Sequence, residues 1–533
     1  MKIKTLIKPF TLSAFIMVAM VSCTDLEIDE TDSIISEDTG DFTFTPLADP
    51  ASSLSDLYNK VGGDFQGQDN IYALNEVTTD ELLVPTRGTD WGDNGVWRQL
   101  HTHTWNAAHI FVLNSWNTLN QNVFRATEII ESNPSAAIVA EAKFLRAYNM
   151  FFVMDFYGSV PFREVTEGPK VNPRVLSRVE AYEFVMQDLT EAMADLPSTG
   201  PDLTKTVKAT KEAAQFLKAK LHLNAAIYNG TGTFDPADMD AVIAAVDAIT
   251  ASGFAVESTR SYFEIFEPTE DTETIFFLRS EVAARIWNSL HYSQNAPDNT
   301  GGGWNGFSTL AEFYDKFEGD PNTNFAGDGQ EERRGIVWDN TNANDLNLGI
   351  GYGFLIGQQY NADGTMLKNR QGGPLSFTKE IPALVGNTEI QGIRLLKYHP
   401  YDPIPDTGDD TSPLIESFRR HQIFFRYADA YLMKAEAMFR KGQTAEALTM
   451  VNNLRANRDN TPALTSLDAT SLLDERAREL FIETWRRNDL VRFDQFTAPW
   501  SLKEVTGDPN KNLFPIPEIA LLSNPNLVQN PGY

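Results

Sequence analysis

Phe425-Arg426-Tyr427-Ala428-Asp429-Ala430-Tyr431-Leu432-Met433-Lys434-Ala435-Glu436-Ala437 is the stretch from which the fold can be read. Its alanines recur at helical spacing, where small side chains let two helix axes approach closely. Helical patterns over 424–441, 443–458 and 470–490 follow one another with short connections, which makes neighbouring helices antiparallel.

The same grammar holds upstream. From Trp105 to Asn133 the apolar residues Ile110, Leu113, Trp116, Leu119, Val123 and Ile130 trace one face of a long helix. Glu141 to Val153 is apolar nearly all round and predicts a buried helix, stopped by Gly158 and Pro161. Further patterns cover 180–196, 209–229 and 236–252. Residues 254–423 differ, being dense in Gly, Asn, Asp, Pro and aromatics with only short apolar runs, which predicts loops and a few short strands. The expectation is a mainly α protein of tetratricopeptide-like hairpins over 105–252 and 424–490, carrying a loop-rich insertion over 254–423 within a single domain, 46–533.

Lys2, Lys4 and Lys8 precede an apolar run from Phe10 to Val21 that is short for a bilayer span, so residues 1–22 read as a secretion signal. The sole cysteine, Cys23, follows Ser22 in a pattern resembling a bacterial lipobox, which assigns it as the lipidation site. Residues 23–45, rich in Asp, Glu, Ser and Thr, then read as a flexible tether. One cysteine excludes an intramolecular disulfide and any multi-cysteine metal site. With 44 Lys+Arg against 73 Asp+Glu the chain carries a formal charge of −29, which argues against nucleic acid and polyanions as partners and leaves neutral ligands open.

Candidate chemistry gathers in the loops. Several of the nine tryptophans stand among glycine and polar residues, notably in Val84-Pro85-Thr86-Arg87-Gly88-Thr89-Asp90-Trp91-Gly92-Asp93-Asn94-Gly95 and in Gly301-Gly302-Gly303-Trp304-Asn305-Gly306. Sugar rings stack their C–H faces on indole while their hydroxyls pair with planar polar groups, so Trp91 and Trp304 with Arg87, Asp90 and Asn305 suit a neutral glycan. The alternative for each ring is to cover a small satellite core under its own loop. His101-x-His103 and His109 lack a carboxylate or cysteine to complete a zinc set. Asp320, Asn322, Asn324, Asp328 and Glu331 occupy the oxygen positions of a calcium loop, but Phe325 stands where that loop needs Gly, so no cofactor is assigned and calcium stays the one alternative. Glu475, Glu479 and Glu483, interleaved with arginines, read as an ion network fixing the last helix, and no carboxylate pair stands out as catalytic.

These segments together resemble the SusD/RagB family of glycan-binding outer-membrane lipoproteins. The resemblance is carried by Cys23, by Glu141–Ala147 running on to Asp155-Phe156-Tyr157-Gly158-Ser159-Val160-Pro161-Phe162, by the opening stretch, by Asp474–Leu480 with Arg486–Phe493, and by the ending from Phe514-Pro515-Ile516-Pro517 to Tyr533. It implies a non-enzymatic, lipid-anchored, surface-exposed protein of the outer membrane that captures a neutral oligo- or polysaccharide and passes it to a SusC-like TonB-dependent transporter. It also implies an arc of loop aromatics against the glycan, for which Trp287 and Trp304 are placed by loop context, and further contacts from the loop Asp80–Trp91. A peptide-binding relative, a secreted glycoside hydrolase and a lipoprotein that binds its transporter alone stay open as competing readings.

Overall fold

The computed structural model describes residues 42–267, 269–279, 288–294, 302–320, 329–336, 350–361, 363–398 and 421–533. The signal, Cys23, most of the tether, Trp287 and the calcium-loop residues Asn322, Asn324, Phe325 and Asp328 lie outside them.

The helices are α1 (Pro50–Gln66), α2 (Asn70–Glu76), α3 (Val96–His101), α4 (Ile110–Glu131), α5 (Ala136–Tyr157), α6 (Arg178–Asp195), α7 (Leu203–Thr206), α8 (Lys211–Leu223), α9 (Ala225–Tyr228), α10 (Pro236–Ala251), α11 (Ala311–Tyr314), α12 (Tyr427–Arg440), α13 (Thr444–Arg455), α14 (Ala469–Leu480), α15 (Arg486–Arg492) and α16 (Glu518–Ser523). In space α4 packs on α5, α5 on α6, α6 on α8, α8 on α10, α10 on α12, and α12 on both α13 and α14. The stack is therefore continuous although the chain leaves it after α10 and re-enters at α12. Buried Ala428, Ala435 and Ala447 lie between α12, α13 and α14 with Leu432, Val451 and Leu472, which is the close approach their size permits.

The excursion carries short strands: β3 (Thr274–Arg279), β4 (Gly335–Ile336), β5 (Tyr352–Leu355), β6 (Gly357–Gln358), β7 (Ser376–Phe377), β8 (Arg394–Leu396) and β9 (His421–Arg426), with β1 (Val160–Phe162) and β2 (Arg174–Leu176) before it. β3 pairs antiparallel with β9, so the first and last strands close the excursion, and β9 runs straight into α12. The helix expected from 424 thus begins at Tyr427.

Two other expected helices are each split. The 209–229 pattern breaks at Asn224, whose side-chain amide donates to Lys220 O at 2.8 Å and to Asn488 Oδ1 at 3.1 Å. The 470–490 pattern breaks between α14 and α15, where Ile482 and Thr484 take φ of 51° and 69°. These are costly conformations for β-branched residues, and the buried carboxylates of Glu81 and Glu76 accept their backbone N–H groups. Gly158 ends α5 at φ 72°, and a Cβ there would stand 2.9 Å from Leu513 Cδ1.

The expected carboxylate network is present and ties the excursion to the last helices. Glu479 faces Arg426 at 2.8 Å, Arg458 at 2.8 Å and Arg333 at 3.1 Å, and Glu475 accepts from Arg333 at 2.7 Å. A second network joins α8, α12, α14 and α15 through Lys220–Asp429, Arg476–Asp429, Arg476–Asp489 and Arg492–Glu436 at 2.6 to 2.8 Å. Against the desolvation of full burial, Arg492 and Arg440 hold the Glu436 carboxyl down at about 2, and Arg333 and Arg478 do the same for Glu475 at about 2.

Candidate functional site

The loop before α3 is fixed by its backbone. Leu83 exchanges hydrogen bonds with Ser308 at 2.8 and 2.9 Å, and Arg87 exchanges them with Asp90 at 3.0 and 2.9 Å across a tight turn. That turn delivers Trp91 at φ 60°, edge-on to Trp97 and Phe307 with ring centroids 5.9 and 5.6 Å away. The indole N–H of Trp91 donates to Trp304 O at 2.7 Å and so joins the two tryptophan loops.

The glycines around Trp304 are steric requirements. A Cβ at Gly306 would lie 2.3 Å from the Trp91 ring, and one at Gly303 would lie 2.0 Å from Leu290 O. Backbone N–H groups of Gly303, Asn305 and Gly306 donate to His291, Leu290 and Asn288, clamping this loop on residues 288–294. The result is a Trp304 side chain that is 64% exposed on a rigid base.

The predicted rim residues divide. Asp90 stays at the surface, where it accepts from the Tyr292 hydroxyl and lies 3.5 Å from Arg370. Arg87 and Asn305 are buried, which corrects their expected place on the polar rim. Arg87 donates to Asn305 O at 2.9 Å, Gln391 O at 2.6 Å and Ser308 Oγ at 2.7 Å. Asn305 Oδ1 accepts from Arg394 at 2.6 Å, and its amide donates to Glu389 O at 3.0 Å. Both residues therefore brace the platform from behind. Burial away from any carboxylate lowers Arg87 to about 9.

Two surface groups escaped the sequence reading. Tyr292 carries Arg370 over its ring, 4.0 Å from guanidinium carbon to centroid, and Arg370 donates to Glu389 at 2.7 Å. Burial and Asp90 push Tyr292 up to about 12, while burial lowers His291 beneath it to about 4. Nothing local marks either position, because Tyr292 and Arg370 meet only through the fold. A separate shallow groove of about 720 Å³ is lined by Asp93, Asn94, Gln99, Asn106 and Ile110. Exposed indole, phenol and carboxylate together make a surface for stacking and hydroxyl recognition.

The histidines are structural. His101, His103 and His109 are buried and their Nε2 atoms meet the carbonyls of Ser501, Thr78 and Val96 at 3.0, 2.8 and 3.1 Å. His101 ends α3 and His103 lies past it at φ 56°. Of the calcium-loop oxygens, Glu331 is committed to Arg333 at 2.9 Å and to Glu318 N–H at 3.2 Å. Among the described residues no group of three or more His, Cys, Asp or Glu is arranged to hold a metal, and no helix is long and apolar enough to cross a membrane.

Residues 272–533 match the model of the SusD family, and residues 41–223 match a model described as starch-binding associating with outer membrane. The starch-binding protein SusD of Bacteroides thetaiotaomicron is 27% identical over 514 residues, covering 88% of this chain and 87% of that protein. A SusD-like protein of Bacteroides fragilis superposes with a TM-score of 0.66 at 20% identity, covering 90% of this chain and 96% of that one. Surface glycan-binding protein A of Bacteroides thetaiotaomicron, solved with laminarihexaose, superposes with a TM-score of 0.63 at 16% identity over 90% of this chain and 98% of that one.

Proposed function

Because this chain belongs to the SusD family, we propose that it is a cell-surface lipoprotein, anchored in the outer membrane through Cys23, that captures a neutral oligo- or polysaccharide and hands it to a SusC-like TonB-dependent transporter. The observation that carries this reading is the solvent-exposed Trp304 indole on a base braced by Arg87, Asn305 and Trp91. A large apolar side chain held rigidly in solvent contributes little to folding and is suited to stacking. Trp91, Asp90, Tyr292 and Arg370 supply the neighbouring ring, acceptor and donors, and Trp287 is the further aromatic proposed for the same arc. Relatives bearing starch-binding and laminarihexaose-bound descriptions support a glucan among the neutral candidates. The excess of carboxylates over cations in the chain supports the exclusion of acidic polymers.

Delivery requires release, so the affinity falls in the micromolar to millimolar range, about 4 to 8 kcal/mol. The proposed role is non-catalytic. Electrophoresis through gels containing neutral and acidic polysaccharides tests this reading. Retardation by a neutral polymer, relieved in Trp304→Ala, is the expected outcome. Retardation unchanged in Trp304→Ala, or release of reducing sugar from the polymer, overturns it.

A further inference from the structure

A second concave site lies away from Trp304, at the carboxy-terminal helices. It encloses about 300 Å³, the low end of the range of roughly 300–1,000 Å³ for small-molecule sites. Its floor is apolar and partly aromatic, with Leu473 of α14, Leu490 of α15, Phe493 and Trp500. Two ion pairs form its walls. Arg486 donates to both oxygens of Asp80 at 2.7 and 2.6 Å, and Lys316 donates to Asp474 at 2.6 Å.

The wall chemistry selects the ligand. Each cation is already matched to a carboxylate, so an anionic ligand would have to break a pair, and with Glu312 also in the wall carboxylates outnumber cations. An anion is thereby excluded. Asp474 uses one oxygen on Lys316 and Glu312 uses one on Ser501 N–H, so each offers a second oxygen to a hydroxyl donor. Trp500 is buried, with Lys503 3.5 Å from its ring centroid, and its indole N–H meets no acceptor among the described residues. An apolar floor edged by Phe493 and Trp500 and planar acceptors in the walls are the complement of a polyhydroxylated neutral ring. The volume limits the ligand to one or two such rings.

We propose that this cavity is a second, end-on saccharide site that takes a neutral mono- or disaccharide unit, separate from the Trp304 platform. The proposal rests on the glycan-capture reading above and extends it from the chain of a polymer to its short fragments. The helices and paired walls preform the cavity, so binding orders little protein.

Saturation-transfer NMR with maltose, laminaribiose, cellobiose and sucrose on the full chain tests it. The Trp304→Ala protein should still give signal with at least one disaccharide. Ala469, exposed at the cavity mouth on the first turn of α14, is the place to block it. Trp304→Ala/Ala469→Trp should reduce that signal on the order of tenfold, and Trp304→Ala/Thr470→Arg serves as a second block if the first melts early. Loss of all signal in Trp304→Ala alone, or signal unchanged in both blocked proteins, overturns the proposal. Absence of disaccharide signal from the unsubstituted protein also overturns it, whereas gel retardation relieved by Trp304→Ala in that same case leaves the glycan-capture reading standing.

Discussion

The helical stack and the Trp304 surface use arginine in opposite ways. In the stack, Arg426, Arg458 and Arg333 converge on Glu479 inside the protein, and charge meets charge. Behind Trp304, Arg87 and Arg394 are as deeply buried yet donate to Asn305, Ser308 and backbone carbonyls. The first arrangement locks elements distant in sequence into one register, since removing a member strands a charge. The second holds a loop by geometry, through neutral acceptors that fix the direction of each guanidinium. Stability is thus concentrated in one region, and the proposed recognition surface lies in the other.

Neutralising Glu479 gives the largest expected effect. Glu479→Gln leaves three guanidiniums short of a carboxylate and should lower the unfolding free energy by about 3–5 kcal/mol in denaturant titrations. The solvent-exposed pair Lys434–Asp247 is the contrast, and Lys434→Ala should cost about 1 kcal/mol or less. Equal costs for the two would erase the distinction drawn between buried network and surface pair.

Next comes binding. Trp304→Ala should weaken polysaccharide retardation by about 2 kcal/mol or more, roughly thirtyfold, with an unchanged denaturation midpoint. Gly306→Ala should act in the same direction without touching an aromatic ring, because its methyl would occupy the space of the Trp91 indole. A Gly306→Ala protein that binds normally would show that Trp91 takes no part in the surface.

Acid should separate the regions again. The folded-state pKa values of Glu436 and Glu475, about 2, lie below the ordinary 4.5, so the unfolded chain takes up protons first as pH falls. The stability they contribute is complete above about 4.5 and drains away between there and 2. Thermal melts from pH 6 to pH 3 should record a falling midpoint, less steep in Glu436→Gln, which has no such carboxylate to protonate.

How much of this was legible depended on the physics that places each residue. Helices α4, α6, α10 and α13 follow from apolar periodicity and α5 from its continuous apolar run, both local properties. α1 carries Leu54, Leu57, Tyr58, Val61 and Phe65 at the same spacing, and its Gly62-Gly63 pair and proximity to the polar tether masked it. The breaks at Asn224 and Ile482 were not legible, because they depend on Asn488, Glu76 and Glu81 far along the chain. At the surface, composition located Trp91 and Trp304 but could not tell brace from rim. Arg87 looks like a solvent-exposed loop residue until Ser308, Asn305 and Gln391 surround it.

The smallest expected effect concerns the rim itself. Tyr292→Phe removes only the hydroxyl that donates to Asp90 and leaves the ring under Arg370. A hydrogen bond of this kind contributes about 1 kcal/mol, so polysaccharide affinity should fall by roughly fivefold through a less fixed Asp90. Tyr292→Ala also takes away the ring and should weaken binding further. The phenol lies at about 12 and the underlying His291 at about 4, so this Tyr and His pair undergoes no charge change between pH 6 and 8. Affinity gels run at both ends of that interval should give the same ratio of Tyr292→Phe to unsubstituted protein. A ratio that changes with pH would mean that a titrating group enters the site with the glycan, and the rim would then be an electrostatic contact instead of a hydrogen-bonding one.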